Sequence, residues 1–357
     1  MAIRPMLIPA RIMAVLMLIG PPAMADTSAE TGYRLGHGLV FPAARLRLGG
    51  YATLRYRNLD REQARFDLRD LSLFVTWKPS PRWQLFTELE AGEALTVTST
   101  SVNTASAEFD VERLYADYLA RPWLTLRLGK ILTPVGRWNL IHADPLVWTV
   151  SRPLVSSVPF ARHATGISGL GSLSLAGGNL EYQLYIDDSR LLDPDHSESS
   201  FEGANRPGNS NSFVNAAGFQ LRYHWPDDRI QVAASYSNFR MRGQRGRKQL
   251  FGLDARLRWH GLELTSEALY RHGQGHHGRD SWGAFVQGVV PLFRQIYAIG
   301  RYEYFHDPGT LRGARLTSVG LAWRPQPAVV LKLEMRDGGG NEPLVPDGLL
   351  ASLAVLF

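Results

Sequence analysis

The chain has 357 residues, 45% of them hydrophobic and 20% charged, with 34 Gly, 21 Pro and no Cys. That composition excludes a disordered, collagen-like or disulfide-stapled protein. Lys and Arg number 39 against 33 Asp and Glu, a net charge of +6, too mild an excess to point to nucleic acid.

Residues 1–25 read as a signal peptide. Arg4 and Arg11 make a positive start, Ile12–Gly20 is a short apolar run, and Pro21-Pro22 breaks it before the small-residue cleavage site Ala23-Met24-Ala25. A membrane helix needs roughly 20 apolar residues, and Pro9, Arg11 and the Pro pair interrupt this run. Without the leader the balance is 37 basic against 33 acidic side chains, or +4. A short periplasmic N-terminal segment is expected over 26–44.

From there to the end, helical periodicity is nearly absent and alternation with period two prevails. In Asn179–Asp187, Leu180, Tyr182, Leu184 and Ile186 interleave with Glu181, Gln183 and Tyr185. Phe219, Leu221, Tyr223 and Trp225 alternate with Gln220, Arg222 and His224; Phe251 to Trp259 and Val329 to Met335 repeat the pattern. Successive strand side chains point to opposite sides, so each segment has one oily and one wet face. The whole chain read this way predicts sixteen strands, at 45–57, 66–78, 82–91, 109–120, 123–130, 165–175, 179–187, 213–225, 229–238, 248–259, 262–271, 281–291, 295–305, 314–324, 328–336 and 348–357.

Turn-forming residues join these strands tightly at Lys78-Pro79-Ser80-Pro81, Arg121-Pro122, Pro226-Asp227-Asp228, His260-Gly261 and Pro325-Gln326-Pro327. Longer polar links such as 92–108, 188–212, 239–247 and 337–347 fall between them. Strict alternation of short and long connections is the pattern of periplasmic turns and outer loops. Trp77, Trp83, Trp123, Trp225, Trp259 and Trp323 sit beside the short turns, as an interfacial girdle requires. The expected fold is all-β: a transmembrane antiparallel β-barrel of about 16 strands over 45–357, in the outer membrane of a Gram-negative bacterium. Gly348–Phe357 ends the chain on an apolar alternating strand, and Phe357 resembles the C-terminal signal that the barrel assembly machinery recognises. A soluble secreted β-protein and a barrel enzyme are the alternatives.

A barrel of about sixteen strands leaves an aqueous channel, and an inner face of charged and amide side chains is expected to be wet. Such an interior passes small hydrophilic solutes without a catalytic group, cofactor or metal. The fifth strand is followed by the longest connection, 131–164, expected to fold inward as the constriction. Arg127, Lys130, Arg137, Arg152 and Arg162 are the candidate anion-attracting residues there, with His142, Asp144 and His163 alongside; Arg222, Arg256, Arg258, Arg301 and Arg336 are further pore-lining cations. Glu88, Glu112, Asp117, Glu181, Glu263, Glu267, Glu303 and Glu334 share the wet face. Two outcomes stay open: clustered cations that favour anions, or opposed charges that form ladders along the wall.

Leu126–Gly136 (LRLGKILTPVG), with Phe109–Tyr118 (FDVERLYADY) and Arg152-Pro153, resembles the porin O/P family of phosphate-selective-type outer-membrane channels. The resemblance implies a sixteen-stranded, usually trimeric barrel over nearly all of 45–357. Ile131 and Val135 stand where the family often has aromatics, and Leu132 where Lys is frequent. Phosphate specificity therefore does not carry over, and a general porin leaning to anions is the implied function.

Other constellations carry less. His272, His276 and His277 share a Gly-rich loop whose simpler role is to stay solvated, and Asp193, Asp195, His196 and Glu198 lie in a long outer loop. Arg240, Arg242, Arg245, Arg247 and Lys248 make a basic outer loop suited to lipopolysaccharide phosphates; with no interleaved aromatic, nucleic acid is not expected as a partner. For an enzyme, only His142 with Asp144, or His163 with Ser168, lie close enough in sequence to serve.

Overall fold

The computed structural model describes residues 31–104, 107–141, 143–156, 159–194, 212–273, 280–306, 313–339 and 345–357. The leader, His142, His276, His277, Asp195, His196 and Glu198 lie outside them. Sixteen long strands follow one another: β1 Leu46–Leu59, β2 Arg65–Ser80, β3 Trp83–Thr98, β4 Glu108–Arg121, β5 Leu124–Leu132, β6 His163–Leu175, β7 Gly178–Asp187, β8 Phe213–His224, β9 Ile230–Met241, β10 Lys248–Trp259, β11 Leu262–Gly273, β12 Ser281–Phe293, β13 Ile296–His306, β14 Ala314–Gln326, β15 Val329–Gly339 and β16 Gly348–Leu356. Each pairs antiparallel with the next, and β16 returns to β1 in a register running from Gly348↔Leu59 to Leu356↔Tyr51. The sheet is therefore closed, with no free edge, which is the condition for a strand structure to sit in hydrocarbon.

Alternation places the side chains as the sequence implies. Along β10, Phe251, Leu253, Leu257 and Trp259 are exposed, while Asp254 and Arg256 are buried on the opposite side. The six Trp residues flanking the short turns all project outward, each 40–56% exposed. Three of those turns have two residues, both at positive φ: Ala176-Gly177, His260-Gly261 and Arg294-Gln295, the twist that matches a hairpin. Arg294-Gln295 contains no glycine, so composition alone does not reveal it.

The inner face departs from the expectation of uniform wetness. Phe239, Met241, Leu250, Leu269, Phe285, Phe305 and Leu316 are buried inside the barrel toward the long-loop end, where they form one cluster with Val135, Leu154, Val155 and Phe160 of the 133–162 loop. Phe213 joins them because a bulge between Phe213 and Asn215 reverses its side. A second apolar group, Val289, Tyr297, Ile299, Ala322, Val330 and Ala354, lies toward the short-turn end. The charged and amide residues thus form a belt between two apolar zones, because an inserted loop needs surface to pack on.

Bulges add charge to the β1–β4 wall. Thr53 pairs with Asp70 but Leu54 with Leu68, and Arg113 pairs with Glu88 but Val111 with Leu89. Arg69 and Glu112 are the extra residues, so Arg69 with Asp70, and Glu112 with Arg113, both turn inward. Residues 31–44 contain a hairpin, Gly32–Arg34 with Gly38–Phe41, whose second strand pairs with β1 at Leu39↔Leu48 to Phe41↔Leu46. It occupies the lane in which β16 ends: Phe357 and Gly50 exchange both backbone hydrogen bonds at 2.8 Å, and Gly36 N donates to Leu356 O.

Gly129 in β5 has φ +134, and a Cβ there would lie 2.1 Å from Leu114 O. Gly129→Ala is expected to cost about 1–3 kcal/mol, read as an earlier urea midpoint by semi-native electrophoresis. Gly300→Ala, where nothing lies within 4 Å of the added carbon, should stay within about 0.5 kcal/mol of the parent.

Candidate functional site

The site is the loop 133–162 and the wall that holds it. The loop leaves β5 through a fastened neck. Thr133 N donates to Arg162 O at 2.7 Å, Thr133 Oγ1 to Ala161 O at 2.8 Å, and the Asn139 side-chain amide to both Thr133 O and Arg162 O. Gly136 follows with φ +65, and a Cβ at that point would meet Glu267 Oε2 at 2.4 Å. The backbone at 136 is in the left-handed region and lies against a wall carboxylate that two loop amides hold in place, a position that favours glycine.

Three short 3₁₀ turns, Asn139–Ile141, Asp144–Leu146 and Leu154–Ser156, carry the chain across the interior. Such a segment exposes many amides and carbonyls that find no ladder partner of their own, and buried backbone groups must be paired. The barrel wall supplies the partners. Glu267 Oε1 accepts Arg137 N at 2.9 Å and Trp138 N at 2.5 Å. Glu334 Oε2 accepts Val150 N at 2.7 Å and Ser151 N at 3.0 Å, Glu303 Oε2 accepts Leu154 N at 2.7 Å, and Glu263 accepts the Trp148 indole N–H at 2.9 Å.

Wall donors serve the carbonyls. Gln220 and Arg222 donate to Gly136 O at 2.8 and 3.3 Å. Arg324 donates to Pro145 O and Val147 O, and its guanidinium lies 4.4 Å from the Trp148 ring centre. Lys332 Nζ reaches Asp144 O and Thr149 O, each at 3.0 Å, and the Asp144 carboxylate at 3.1 Å. Arg301 donates to Ser151 O at 3.0 Å and to the hydroxyls of Thr149 and Ser151.

The candidate cations are engaged with neighbouring groups. Arg127 makes a bidentate pair with Asp117 at 2.6 and 2.8 Å, over the Tyr115 ring at 3.8 Å. Lys130 pairs with Asp110 at 3.3 Å and Asp193 at 3.6 Å. Arg137 is buried and donates to Gln231 at 2.7 Å. Arg222 lies 3.7 Å from Asp254, Arg256 is 3.0 Å from Asp228, Arg258 is 3.5 Å from Asp228, and Arg301 is 3.1 Å from Glu303. Arg152 and Arg162, on the loop, and Arg336, in β15, are half-buried. Of the carboxylates, Glu88 pairs with Arg113 and Glu181 with His224. Among these inward groups, ladders between opposed charges prevail over a bare cation cluster.

Asp228, in the turn 225–229, closes one such network. Burial alone raises its pKa; the hydrogen bonds from His224 and Gln231 and the charges of Arg256 and Arg258 outweigh that and hold the carboxyl far below the usual carboxylate range. This carboxylate stays charged on acidification until well below its unfolded pKa of about 3.9.

Of the pairings weighed for catalysis, His142 lies outside the described residues, and His163 and Ser168 each have other partners. His163 sits 2.5 Å from Glu112, and Ser168 Oγ donates to Leu184 O at 2.8 Å. Asp144 is held by Lys332, with Arg69 at 3.8 Å. His272 in the Gly-rich loop pairs with Asp280 at 2.8 Å. Wall residues Glu267, Glu303, Glu334, Lys332 and Arg324 are the loop's fasteners. The sequence shows their inward side but not their partners, which lie 129 or more positions away for Glu267, Glu303 and Glu334.

No family model matches the chain. A protein of Aquifex aeolicus without an assigned function is 31% identical over 143 residues, which span 39% of this chain and 31% of that protein. Similar solved structures are outer-membrane proteins. A loop-deletion mutant of OmpT from Vibrio cholerae has a TM-score of 0.59 at 8% identity, covering 87% of this chain and 99% of that one. Salmonella typhi OmpF in complex with daunomycin scores 0.58 at 11%, covering 89% and 99%. An anion-selective porin from Comamonas acidovorans scores 0.57 at 13%, covering 87% and 98%. At these identities the likeness shows the fold, and that fold is the general porin barrel.

Removing a carboxylate fastener orphans the amides it holds, at about 1.5–3 kcal/mol for a charge-assisted bond. Glu267→Ala should speed hydrogen exchange at Arg137 and Trp138 by about tenfold or more and leave Val150 and Ser151 protected; Glu334→Ala should do the reverse. Uniform acceleration across the loop in both variants would contradict this division.

Proposed function

We propose that the chain is an outer-membrane porin, a water-filled channel for passive diffusion of small hydrophilic solutes with a preference for anions. One observation carries this reading: a closed sixteen-stranded wall, oily outside, holds within it a long loop pinned by a belt of charges. A barrel of this strand number is wide enough for an aqueous path, and a firmly held inserted loop gives that path a constriction of defined shape.

The anion preference draws on the loop's own described charges. Within the loop's own described residues the cations Arg137, Arg152 and Arg162 outnumber one acid, Asp144, whose carboxylate pairs with Lys332 at 3.1 Å. Arg137 is buried and donates to Gln231, while Arg152 and Arg162 are half-buried on the same loop, and these two are the residues proposed to carry selectivity. The anion-selective character of the Comamonas porin agrees with this preference. Phosphate-like solutes are suggested only by the Leu126–Gly136 resemblance, and Gly129 and Gly136 of that stretch answer to backbone geometry rather than to a solute. A homotrimer, as in one form of OmpT, surrounded by outer-membrane lipid and inserted through a signal at Phe357, completes the proposal.

Purified protein in a planar bilayer should give stepwise currents; a silent bilayer with demonstrably folded protein would refute the channel. In a salt gradient, Arg152→Glu combined with Arg162→Glu should move the reversal potential toward cations. Unchanged selectivity would remove both residues from the filter.

A further inference from the structure

Two rows of outward-facing side chains run around β8–β12 near the long-loop end. The first is aromatic: Phe219, Tyr236, Phe251, Tyr270 and Trp282 are register partners from strand to strand, with ring centres 6.0 Å apart for Phe219–Tyr236 and 5.1 Å for Tyr236–Phe251. Such a row marks the depth at which hydrocarbon gives way to headgroups.

Two residues farther along β9 and β10, about 7 Å at the usual rise, the outward positions turn polar. Asn238 is opposite Gln249 on β10, and beyond it Arg240 is opposite Asn215 on β8. The hairpin between β9 and β10 adds Arg245 and Arg247. Arg240 and Arg245 are exposed. Arg247 is held in place, donating to Asn238 Oδ1 at 2.6 Å and Asn215 Oδ1 at 3.1 Å. Arg242 ties the hairpin to the neighbouring loop through Asp193 O at 3.3 Å.

We propose that Arg240, Arg245 and Arg247, with the amides of Asn215 and Asn238, form a docking surface for the phosphate headgroup of a membrane lipid. The inference rests on the membrane-spanning reading and adds a partner site on the outer wall. Position argues for a lipid rather than a dissolved anion. Arg240 is on the outward face of β9, away from the lumen, and stands above the aromatic row, where headgroup phosphates of an embedded barrel lie. Guanidinium groups form bidentate hydrogen bonds with phosphate, and basic side chains near a membrane surface add attraction to anionic lipid.

The test is native mass spectrometry of the detergent-solubilised full chain, titrated with phosphatidic acid, phosphatidylcholine and inorganic phosphate. Wild-type protein should retain phosphatidic acid about tenfold better than phosphatidylcholine, and inorganic phosphate should not displace it. Arg240→Gln/Arg245→Gln/Arg247→Gln should abolish the difference. Should that variant fail to fold, Arg240→Gln/Arg245→Gln, which alters only exposed side chains, should still reduce it severalfold. Undiminished retention by a folded variant overturns the proposal, and displacement by inorganic phosphate at equal concentration overturns the lipid source. Bilayer conductance of the same variants keeps the two readings apart: stepwise currents with phosphatidic acid retention lost support the docking surface, whereas silence in wild type indicts the channel.

Discussion

An amide that points into an enclosed space has to find an acceptor, and much of this molecule's interior follows from that demand. A loop of thirty residues (133–162) folded inside a barrel brings amides and carbonyls that neither strand pairing nor bulk water serves throughout. The wall answers with carboxylates where the loop presents N–H groups and with guanidinium, ammonium or amide groups where it presents carbonyls. Glu267 and Glu334 each hold two consecutive amides, while Arg301 holds a carbonyl and two hydroxyls between them. Charge-assisted bonds of this kind are roughly twice as strong as neutral ones. The path of the loop is therefore set by charges on β11, β13 and β15, and its apolar residues fill the remaining space.

The mixed sign of the inner belt follows from the same demand. A wall of cations alone would leave Arg137 N, Val150 N and Leu154 N without acceptors, and a wall of acids alone would strand the carbonyls of Gly136, Pro145 and Ser151. Much of what looks in sequence like a selectivity filter is the means of holding the filter's frame.

The fold was largely legible because a closed sheet between oil and water imposes one rule on every strand. Polar and apolar residues must alternate, and turns must carry turn chemistry, so all sixteen strands could be placed from sequence with ends within about three residues, except that β3 runs on to Thr98, seven residues into the stretch expected as a polar link. Local departures from the rule were not legible. The bulges that turn Arg69 and Glu112 inward change one residue in the pairing count and leave no compositional mark. Arg294-Gln295 makes a tight turn without glycine, held by the strands on either side. Leu250 has the parity of the inner face, yet a leucine in an otherwise polar file reads as noise until the loop that covers it is known.

The site was legible only in part for a related reason. Inward direction is a property of one strand, whereas a partner is a property of two segments far apart in sequence. Arg127 and Asp117 face each other across an adjacent hairpin, so their pairing was within reach of register reasoning; Lys332 and Asp144 were not. The stretch Leu126–Gly136 shows how much of a motif can answer to architecture. Gly129 admits the close approach of Leu114 O, Thr133 locks the neck, and Gly136 lets the backbone reach Glu267. Those requirements belong to launching a loop into a barrel, whatever solute later passes it. Similarity in such a stretch therefore informs about architecture first, and a solute has to be argued from side chains that the architecture leaves unspent.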